Sequence, residues 1–299
     1  MTDLKRFEYV LALAECMNFS QAAAKLNISQ STLSQQIQKL EKEIGVSLFD
    51  RTTSSLTLTQ YGQLYIKGAR KILDIYTQTL DSITDADSGA AGTVTIGIAP
   101  SRAPFLLPGI VAKFRESYPE VGLNFIENKS KDIIKDLSEG NIDFAYTVLS
   151  SKEPLKDFET IDVTEEEVML VCKKGGAVGG MTEDGSVDFS KLENDRFIAL
   201  QDSQLLTDYF YTLKQKSGSQ VNIGLCVSEL STAIAMVKEG LGVMLLPSSY
   251  KKYGTLENEL DFYRISQVST KRKIAVIYRK DKYINKPMKA LIEILVKDV

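Results

Sequence analysis

A seven-residue repeat of apolar residues lies between a shorter N-terminal part and a longer C-terminal part of this chain. It is the sequence feature that most restricts the fold. Six apolar residues recur at spacings of three and four residues: Ile66, Ala69, Leu73, Tyr76, Leu80 and Ile83. This spacing is typical of a coiled-coil seam rather than of one face of a globular core helix. We therefore predict a long linker helix over residues 59–87 that pairs with a partner helix. The alternative is a helix packed on its own domain.

The residues on the two sides of this helix differ in character. The small-residue sequence DADSGAAG, from Asp85 to Gly92, predicts a hinge at 88–92. Residues 1–71 hold nine Lys or Arg against six Asp or Glu, a charge of +3, so the remainder carries −6 of the total of −3. A weakly basic N-terminal part followed by an acidic remainder is only weak evidence for a polyanionic partner.

The first 58 residues predict short helices followed by a β-hairpin. An apolar face at Leu4, Phe7, Leu11 and Ala14 indicates the first helix. Ser20 is the expected N-cap of an Ala-rich second helix, and Ser29 is the expected N-cap of the third. Two helices joined by a tight turn form a helix-turn-helix. The Thr-rich stretch VSLFDRTTSSLTLTQ then favours a two-stranded hairpin that can act as a wing.

The outer face of the third helix has an unusual composition. Its inner face is apolar, with Leu33, Ile37, Leu40 and Ile44. Its outer face carries uncharged hydrogen-bonding groups where Lys and Glu are common on solvated helices: Gln30, Ser31, Ser34, Gln35 and Gln38. Gln and Ser side chains can read base edges in the DNA major groove, and Lys39, Lys42 and Arg51 can contact phosphates. A merely polar surface is the alternative.

Beyond residue 92, strand-like and helix-like segments alternate. The strand-like segments are TVTIGIA, GLNFIE, IDFAYTV, EEVMLVC, RFIALQ, NIGLCVS, GVMLLP and KIAVIYR. The helix-like segments are FLLPGIVAKFRESY, SKDIIKDLSE, LLTDYFYTLKQK, SELSTAIAMVKEG and NKPMKALIEILVK. Such alternation predicts an α/β architecture with largely parallel sheets. Because this part exceeds 200 residues, we expect two subdomains.

Several function classes are disfavoured by what the sequence lacks. There is no histidine, no phosphate-binding GxxxxGK[ST] loop and no GxGxxG after a strand. We expect neither a metal nor a cofactor. Cys16, Cys172 and Cys226 are too far apart for a CxxC site, and the last two lie in apolar segments, so we expect them to be buried and unreactive. No apolar run approaches the roughly 20 residues of a membrane span, which makes a cytoplasmic location the expectation.

The N-terminal motifs resemble a known family. The sequence FSQAAAKLNISQSTLSQQIQKLEKEIGVSLFDR, followed by LTLTQYG, is similar to the winged helix-turn-helix of LysR-type transcriptional regulators. Weaker similarity in GTVTIGIAP, DLSEGNIDFAY and AMVKEGLGVMLLP extends over nearly the whole chain. The resemblance implies a DNA-binding domain at 1–58 and an effector-binding regulatory domain at 93–299. That domain is expected to be a periplasmic-binding-protein-like pair of α/β subdomains, 93–162 with 266–299, and 163–265.

The resemblance also implies which residues face DNA. The matching positions are Ser29, Gln30, Ser31, Ser34, Gln35 and Gln38, with Arg51 near the wing. The family often has Arg or Lys at the positions of Gln35 and Gln38, and a basic wing tip where this chain has Ser54 and Ser55. Each phosphate contact contributes about 0.9 to the salt dependence of log affinity. We therefore expect modest non-specific affinity, with oligomerisation compensating.

An effector pocket between the two subdomains is a further implication. Strand ends and helix N-termini meet there and offer free N–H groups to anionic or polar ligands. The expected contact residues are Ser101, Arg102, Asn128, Ser130, Thr147, Gln201, Ser203 and Glu229. Helix capping is an equal alternative for Ser130, Ser203 and Glu229, and solvent exposure is an equal alternative for Arg102. Thr147 could also simply end a buried strand.

Together these features predict a LysR-type regulator. It would be a homodimer or a dimer of dimers that binds double-stranded operator DNA and responds to a small-molecule effector, with an anionic metabolite as one candidate class. RNA polymerase would be a further partner of an activator. One rival is a solute-binding α/β protein whose helical head serves protein contacts only. The other is an enzyme on the same two-subdomain scaffold, although no general base stands out.

Overall fold

The computed structural model describes residues 3–51, 55–86, 92–149, 155–201, 205–253, 255–266 and 268–297. Residues 88–91 of the predicted hinge, Ser54 and Ser203 lie outside this set. The N-terminal head comprises α1 (Asp3–Cys16), α2 (Phe19–Lys25), α3 (Gln30–Ile44), β1 (Phe49–Asp50) and β2 (Thr57–Leu58). β1 and β2 pair antiparallel and form the predicted hairpin. The three helices and the hairpin enclose one apolar cluster that includes Val10, Leu33 and Phe49.

Side-chain caps fix where the second and third helices begin. The Ser29 hydroxyl accepts a hydrogen bond from Thr32 N at 3.1 Å, as predicted for the start of α3. The prediction of Ser20 as the cap of α2 is wrong. Asn18 has the extended conformation that an N-cap needs, and its Oδ1 accepts from the backbone N–H of Ser20 at 2.9 Å and of Gln21 at 3.1 Å. The helix therefore starts at Phe19, and Ser20 lies in its first turn.

The linker helix α4 (Gln60–Ala86) is 27 residues long. Its predicted seam is divided between two environments. Ile66 and Ala69 are buried within the chain, and Ile66 belongs to the apolar cluster of the head. The expectation that these two face a partner helix is therefore wrong, because α4 closes the core of its own head. Exposed apolar side chains of α4 form a separate stripe, which we call the α4 stripe: Tyr61, Leu64, Ile72, Ile75, Tyr76, Leu80 and Ile83.

The remainder of the chain alternates strands and helices. Its strands are β3 (Thr93–Ile98), β4 (Gly122–Glu127), β5 (Phe144–Val148), β6 (Phe158–Lys173), β7 (Phe197–Leu200), β8 (Ile223–Val227), β9 (Met244–Pro247), β10 (Leu260–Tyr263) and β11 (Lys271–Arg279). Its helices are α5 (Ala103–Ser117), α6 (Ser130–Glu139), α7 (Leu205–Ser217), α8 (Leu230–Lys238), α9 (Ser249–Tyr253) and α10 (Lys286–Lys297). The α/β class is confirmed.

The long strand β6 joins the two halves of this α/β part. Its residues 158–167 pair with β11, and its residues 168–173 pair with β9 and β10. The sheet order is β10-β6-β11-β5-β3-β4, with β9 also on β6, while β7 and β8 form a separate pair. β3 is parallel to β4 and β5, and β7 is parallel to β8. Every pairing of β6 and β11 is antiparallel, so the prediction of largely parallel sheets is wrong.

Apolar residues cover both faces of the first half of the sheet. On one face, Phe144 and Tyr146 of β5 pack in the cluster of α5 and α10. On the other face, Ala145 packs in the cluster of α6. Side chains alternate between faces along a strand. Tyr146 and its neighbour Thr147 therefore point to opposite sides of the sheet, and this separates two regions of the regulatory part.

Candidate nucleic-acid interface and regulatory site

The outer face of α3 is open to solvent. Ser29, Gln30, Ser31, Gln35, Gln38 and Lys39 are exposed, and Ser34 is half-buried. The opposite face buries Leu33, Ile37 and Leu40 in the head. The helix is thus held along its apolar side and presents amides and hydroxyls on the other. This is the geometry that a helix needs to enter a DNA groove while staying attached to its domain.

Three of these side chains, Ser29, Gln30 and Ser31, already have partners within the head. Besides capping α3, the Ser29 hydroxyl lies 2.9 Å from Ser31 Oγ and 2.7 Å from Thr32 Oγ1. The Ser20 hydroxyl donates to Gln30 Oε1 at 3.3 Å. These contacts orient the N-terminal end of α3. Gln35 and Gln38, one and two turns further along, remain on its outer face.

Arg51, predicted to contact phosphate, is held against the head. Its Nη2 lies 2.9 Å from Glu41 Oε2, and its guanidinium lies 5.4 Å from the centre of the Phe19 ring. Glu41 Oε1 also accepts from Leu48 N at 2.8 Å and Phe49 N at 3.1 Å. Glu41 therefore fastens the start of the hairpin to α3. Sequence reasoning did not predict this role of Glu41, because no sequence pattern distinguishes it from the other charged residues of the same helix.

The predicted effector residues gather in two groups. The carboxyl ends of the parallel strands β3, β4 and β5 bring Ser101, Asn128 and Thr147 to one edge, where the Thr147 hydroxyl donates to Ser130 Oγ at 2.9 Å. In the other half, Gln201 N donates to Val227 O at 2.7 Å, and Glu229 stands before α8. Ser130 is the first residue of α6, after the cap position Lys129, and Glu229 occupies the N-cap position of α8 without a side-chain cap bond.

Arg102 lies elsewhere, in a buried ionic cluster. Its guanidinium is paired with Glu166, with Nη1 donating to Oε2 at 3.1 Å, and Arg272 Nε donates to the same carboxylate at 2.5 Å. All three residues are almost fully buried, at 5%, 6% and 7% exposure. The alternative of a solvent-exposed Arg102 is therefore wrong. Glu166 and Arg272 stand directly opposite each other on β6 and β11, which explains why they meet.

The two arginines set the ionisation of Glu166. Burial acts to raise the pKa of its carboxyl group, but the hydrogen bond from Arg102 and the charge of Arg272 outweigh burial and hold that pKa below its usual range. Burial lowers the pKa of Arg272, and the charge of Glu166 opposes that shift. Alternation gives the sequence signal for these residues. Glu166 precedes Val168 and Leu170 with a period of two, as Arg272 precedes Ile274 and Val276.

The two cysteines of the regulatory part differ. Cys172 is buried as expected, and burial raises the pKa of its thiol to about 11. Cys226 is exposed, so the expectation of burial is wrong for it. Ile223, Leu225 and Val227 of β8 are half-buried, and the residues between them face outward. Because GLCVS contains mostly apolar or small residues, the sequence alone did not reveal that buried and exposed positions alternate along β8.

Other sites are absent from the part of the chain that the structure describes. No group of His, Cys, Asp or Glu in it could hold a metal ion. None of its helices combines the length and the apolar composition that crossing a membrane requires.

A helix-turn-helix head with an open polar third helix, joined by a long helix to an α/β regulatory part, defines a DNA-binding transcriptional regulator. Comparison with known proteins agrees. The family described as "Bacterial regulatory helix-turn-helix protein, lysR family" matches residues 4–63, and the family "LysR substrate binding domain" matches residues 87–299. The chain belongs to the LysR family. It is a regulator and not an enzyme, so both rivals from the sequence are rejected.

Individual relatives cover most of the chain. The uncharacterised regulator YnfL of Escherichia coli is 31% identical over 84% of each chain. AlsR of Bacillus subtilis is 28% identical over 94% of this chain and 91% of its own. The hydrogen peroxide-inducible genes activator of Dickeya chrysanthemi is 27% identical over 93% of this chain and 89% of its own.

Solved structures show the same fold. A variant of full-length OxyR from Pseudomonas aeruginosa has a TM-score of 0.73 and 25% identity, covering 99% of this chain and 94% of that chain. Full-length CbnR in complex with its target DNA has a TM-score of 0.66 over 99% of both chains, at 21% identity. Because CbnR is only 21% identical to this chain, its similarity supports the fold alone.

Proposed function

We propose that this chain acts as a homodimer, or as a dimer of dimers, and reads operator DNA through the outer face of α3. The observation that carries the proposal is the exposed set of amides and hydroxyls on that face, opposite an apolar side on which Leu33, Ile37 and Leu40 are buried, although Ile44, expected on the same side, is 41% exposed. Gln pairs bidentately with adenine, and Ser donates to or accepts from several base edges. Gln35 and Gln38 are the side chains for direct readout. Lys39 is placed to contact a phosphate.

The α4 stripe supports the dimer. Ile75 is 63% exposed and Leu64 is 69% exposed on a helix whose other face closes the head. A contiguous exposed apolar surface of this kind is rare on a monomer and marks an interaction surface. A second copy of α4 is the partner that fits, because a two-fold contact between identical stripes is self-complementary. Two heads then bind two half-sites.

The regulatory part supplies the response. We infer that an effector between the halves 93–167 with 268–297, and 168–266, biases their arrangement, with Ser101, Asn128, Ser130, Thr147, Gln201, Ser203 and Glu229 around it. The division proposed here, five residues later than the one expected from the sequence, is supported by the change of pairing partners along β6, from β11 up to Glu167 to β9 from Val168. A differential affinity of about 1–3 kcal/mol is sufficient for a useful switch. The regulator works in the cytoplasm, and RNA polymerase is its further partner if it acts as an activator.

Selection from a random DNA library supplies a binding site without knowledge of the target genes. The wild-type chain is used for selection, and fluorescence anisotropy then compares variants on the selected duplex at physiological salt. Gln35→Ala is expected to weaken specific binding at least tenfold, because losing one bidentate base contact costs about 1–3 kcal/mol at each half-site. Binding to unrelated DNA should change little.

The matched control is Gln220→Ala, which removes an exposed glutamine far along the chain from the head. It is expected to leave both specific and non-specific affinity unchanged. If Gln35→Ala, Gln38→Ala and the control bind the selected duplex equally well, the outer face of α3 does not read DNA and the proposal fails.

A further inference from the structure

One glutamine on the outer face of α3 differs from the others in how its amide is held. Gln30 is the first residue of α3, and its Oε1 accepts a hydrogen bond from the Ser20 hydroxyl at 3.3 Å. Ser20 belongs to α2, so this bond joins the two helices of the helix-turn-helix. Among the described residues, neither Gln35 nor Gln38 has a hydrogen-bond partner for its side chain. The three glutamines therefore do not present the same groups to DNA.

The backbone of Ser20 is held in place at the start of α2. Its N–H donates to Asn18 Oδ1 at 2.9 Å, which is part of the N-cap of the helix. On the inner side of the same short helix, Ala22 and Ala23 are buried in the apolar cluster of the head. The Ser20 hydroxyl therefore projects from an anchored turn, and it reaches Gln30 across the connection between the two helices.

The bond from Ser20 leaves the amide of Gln30 with more free donors than free acceptors. A glutamine side chain has two N–H donors and one carbonyl oxygen with two lone pairs. The Ser20 hydroxyl occupies one of these lone pairs, whereas neither N–H of Gln30 Nε2 donates to any residue that the structure describes. Held in this way, Gln30 offers its two N–H groups to a partner outside the head.

Base edges in the major groove differ in how well they match such a group. Guanine presents two acceptors, N7 and O6, whereas adenine presents an acceptor at N7 and a donor at N6. A free glutamine amide meets adenine with one donor and one acceptor. An amide whose oxygen is already shared gains less from adenine, and its donors match guanine. The N-terminal residues of a recognition helix are the ones that contact base edges, and Gln30 opens α3.

We propose that Ser20 is a positioning residue for base recognition, which holds the Gln30 amide so that Gln30 selects guanine at one base pair of each half-site. Gln35 and Gln38, whose amides are not held, keep the preference of a free glutamine for adenine. Ser20 acts through Gln30 rather than on the DNA itself. The proposal rests on the reading of operator DNA by α3, and it specifies which base one side chain of that helix selects.

The base preference at the position of Gln30 tests this proposal. The duplex selected with the full wild-type chain is varied one base pair at a time, in both half-sites together, and affinity is measured by fluorescence anisotropy. Gln30→Ala locates the Gln30 base pair, which is the one where discrimination among bases is lost while it is retained elsewhere. There the wild type is expected to bind guanine at least about fivefold more tightly than adenine per half-site, the lower limit for a good base contact.

Ser20→Ala removes the hydroxyl but keeps the backbone N–H that donates to Asn18. It is expected to lower the ratio of guanine to adenine affinity at the Gln30 base pair by about 2–10-fold per half-site, the range for loss of one net hydrogen bond. The physical reason is that the freed oxygen of Gln30 can accept from adenine. Preferences at the other base pairs and the thermal unfolding temperature should not change. Ser20→Thr retains a hydroxyl and should retain the wild-type ratio.

The matched control is Ser47→Ala. It removes an exposed serine hydroxyl from the same head, while the backbone carbonyl of residue 47, which accepts from the Thr59 hydroxyl at 2.7 Å, is retained. This variant should leave the base preference at the Gln30 base pair unchanged.

Three results would overturn the proposal. The first is that no base pair depends on Gln30, or that the wild type does not prefer guanine there. The second is that Ser20→Ala leaves the ratio intact or lowers affinity equally for every sequence, since an equal loss would make Ser20 a phosphate contact. The third is that Ser20→Ala and Ser47→Ala shift the ratio equally.

The variants of Gln35 and Gln38 separate this proposal from the reading of DNA by α3. If they weaken specific binding while Ser20→Ala leaves the ratio intact, only the positioning role of Ser20 fails. If they also bind the selected duplex as well as the wild type does, the reading of DNA by α3 fails.

Discussion

At the scale of single residues, Glu166 decides whether the buried ionic cluster stabilises the fold. It is the common partner of Arg102 and Arg272, and its folded-state pKa lies below its ordinary value of 4.5. A group with a depressed folded pKa contributes stability above its unfolded pKa and loses that contribution as the pH falls through the folded value. The contribution of Glu166 is therefore complete at neutral pH and disappears in acid.

Glu166→Gln should lower the free energy of unfolding of the regulatory part by about 3–5 kcal/mol at pH 7, because it leaves two buried guanidinium groups without a counter-charge. The difference between wild type and variant should shrink below pH 4.5, as the wild-type carboxylate is protonated. Urea denaturation at a series of pH values measures both effects. The adjacent, exposed Glu165→Gln serves as control, with an expected change within about 1 kcal/mol. Equal losses for the two variants would contradict this account.

Sequence reasoning at this scale succeeds where the determinants are local. Ser29 caps α3 because a cap depends on residues within one turn, and the exposed amides of α3 follow from helical periodicity. It fails for Glu166 and Arg272, which are 106 positions apart and meet only through the register of β6 and β11. It also fails for Cys226, whose exposure depends on which face of β8 is covered.

At the scale of elements, the hairpin of the head depends on one side chain of α3. Glu41 accepts from two backbone N–H groups at the start of the hairpin and also pairs with Arg51. Glu41→Ala leaves two amides without their acceptor, a loss of about 1–3 kcal/mol. Hydrogen exchange at the amides of Leu48 and Phe49 should then accelerate on the order of tenfold or more.

Glu43→Ala provides a close comparison on the same helix. Glu43 pairs only with Arg6 among the contacts in the described residues, and its side chain is 42% exposed. A surface pair of this kind contributes about 0–1 kcal/mol, so hairpin exchange should barely change. If the amides of Leu48 and Phe49 were equally protected from hydrogen exchange in both variants, Glu41 would not be what holds the hairpin.

The α4 stripe predicts the oligomeric state. Ile75→Asp places a charge in the centre of the stripe and should convert the dimer to a monomer in sedimentation velocity, because a charge buried between two helices has no partner. Thr77→Asp adds the same charge at an exposed position of α4 outside the stripe, and it should remain dimeric. A monomeric wild type, or a dimer in both variants, would refute the stripe as the interface.

Element types were predictable from periodicity, whereas pairings were not. The sequence places α6 at residues 130–139 and α4 within a residue of its observed bounds, because long periodic segments specify helices. It misses β10 and α9, and it recognises only the second half of β6. Residues 158–165 of β6, FETIDVTE, mix polar and apolar side chains and lack the apolar run that marked its second half. Strand direction depends on connections between distant segments, which explains the wrong expectation of parallel sheets.

At the scale of the whole molecule, an ionic network docks the linker helix on the regulatory part. Asp74 of α4 pairs with Arg279 and with Lys282, whose Nζ lies 3.1 Å from Asp74 Oδ1 and 2.6 Å from Asp143 Oδ1. Gln78 Oε1 accepts from Tyr283 N at 2.6 Å, and Arg70 pairs with Glu139 at 2.9 Å. Burial acts to lower the pKa of Lys282, but the charges of Asp143 and Asp74 raise it overall. Lys282 therefore remains charged at neutral pH.

Through this docking, a movement within the regulatory part can be transmitted along α4 to the DNA-binding heads. If closure of its two halves moves the surface that holds Asp74, the direction of α4 and the spacing of the paired heads change with it. Coupling between effector and DNA is then a free energy of about 1–3 kcal/mol, or a change of roughly 5–150-fold in DNA affinity on saturation with effector. Weakening the docking should reduce that ratio without abolishing either binding event.

Asp74→Asn tests this route. The variant removes the charge shared by Arg279 and Lys282 but leaves α3, the α4 stripe and the residues proposed around the effector unchanged. Affinity for the selected duplex and for the effector, each measured alone, should stay within about twofold, while the ratio of DNA affinities with and without saturating effector should fall towards one. Asp162→Asn is the control, because it breaks only an exposed pair with Lys273 in which both side chains are more than half exposed. A coupling ratio that survives Asp74→Asn intact would show that the signal reaches the heads without this contact.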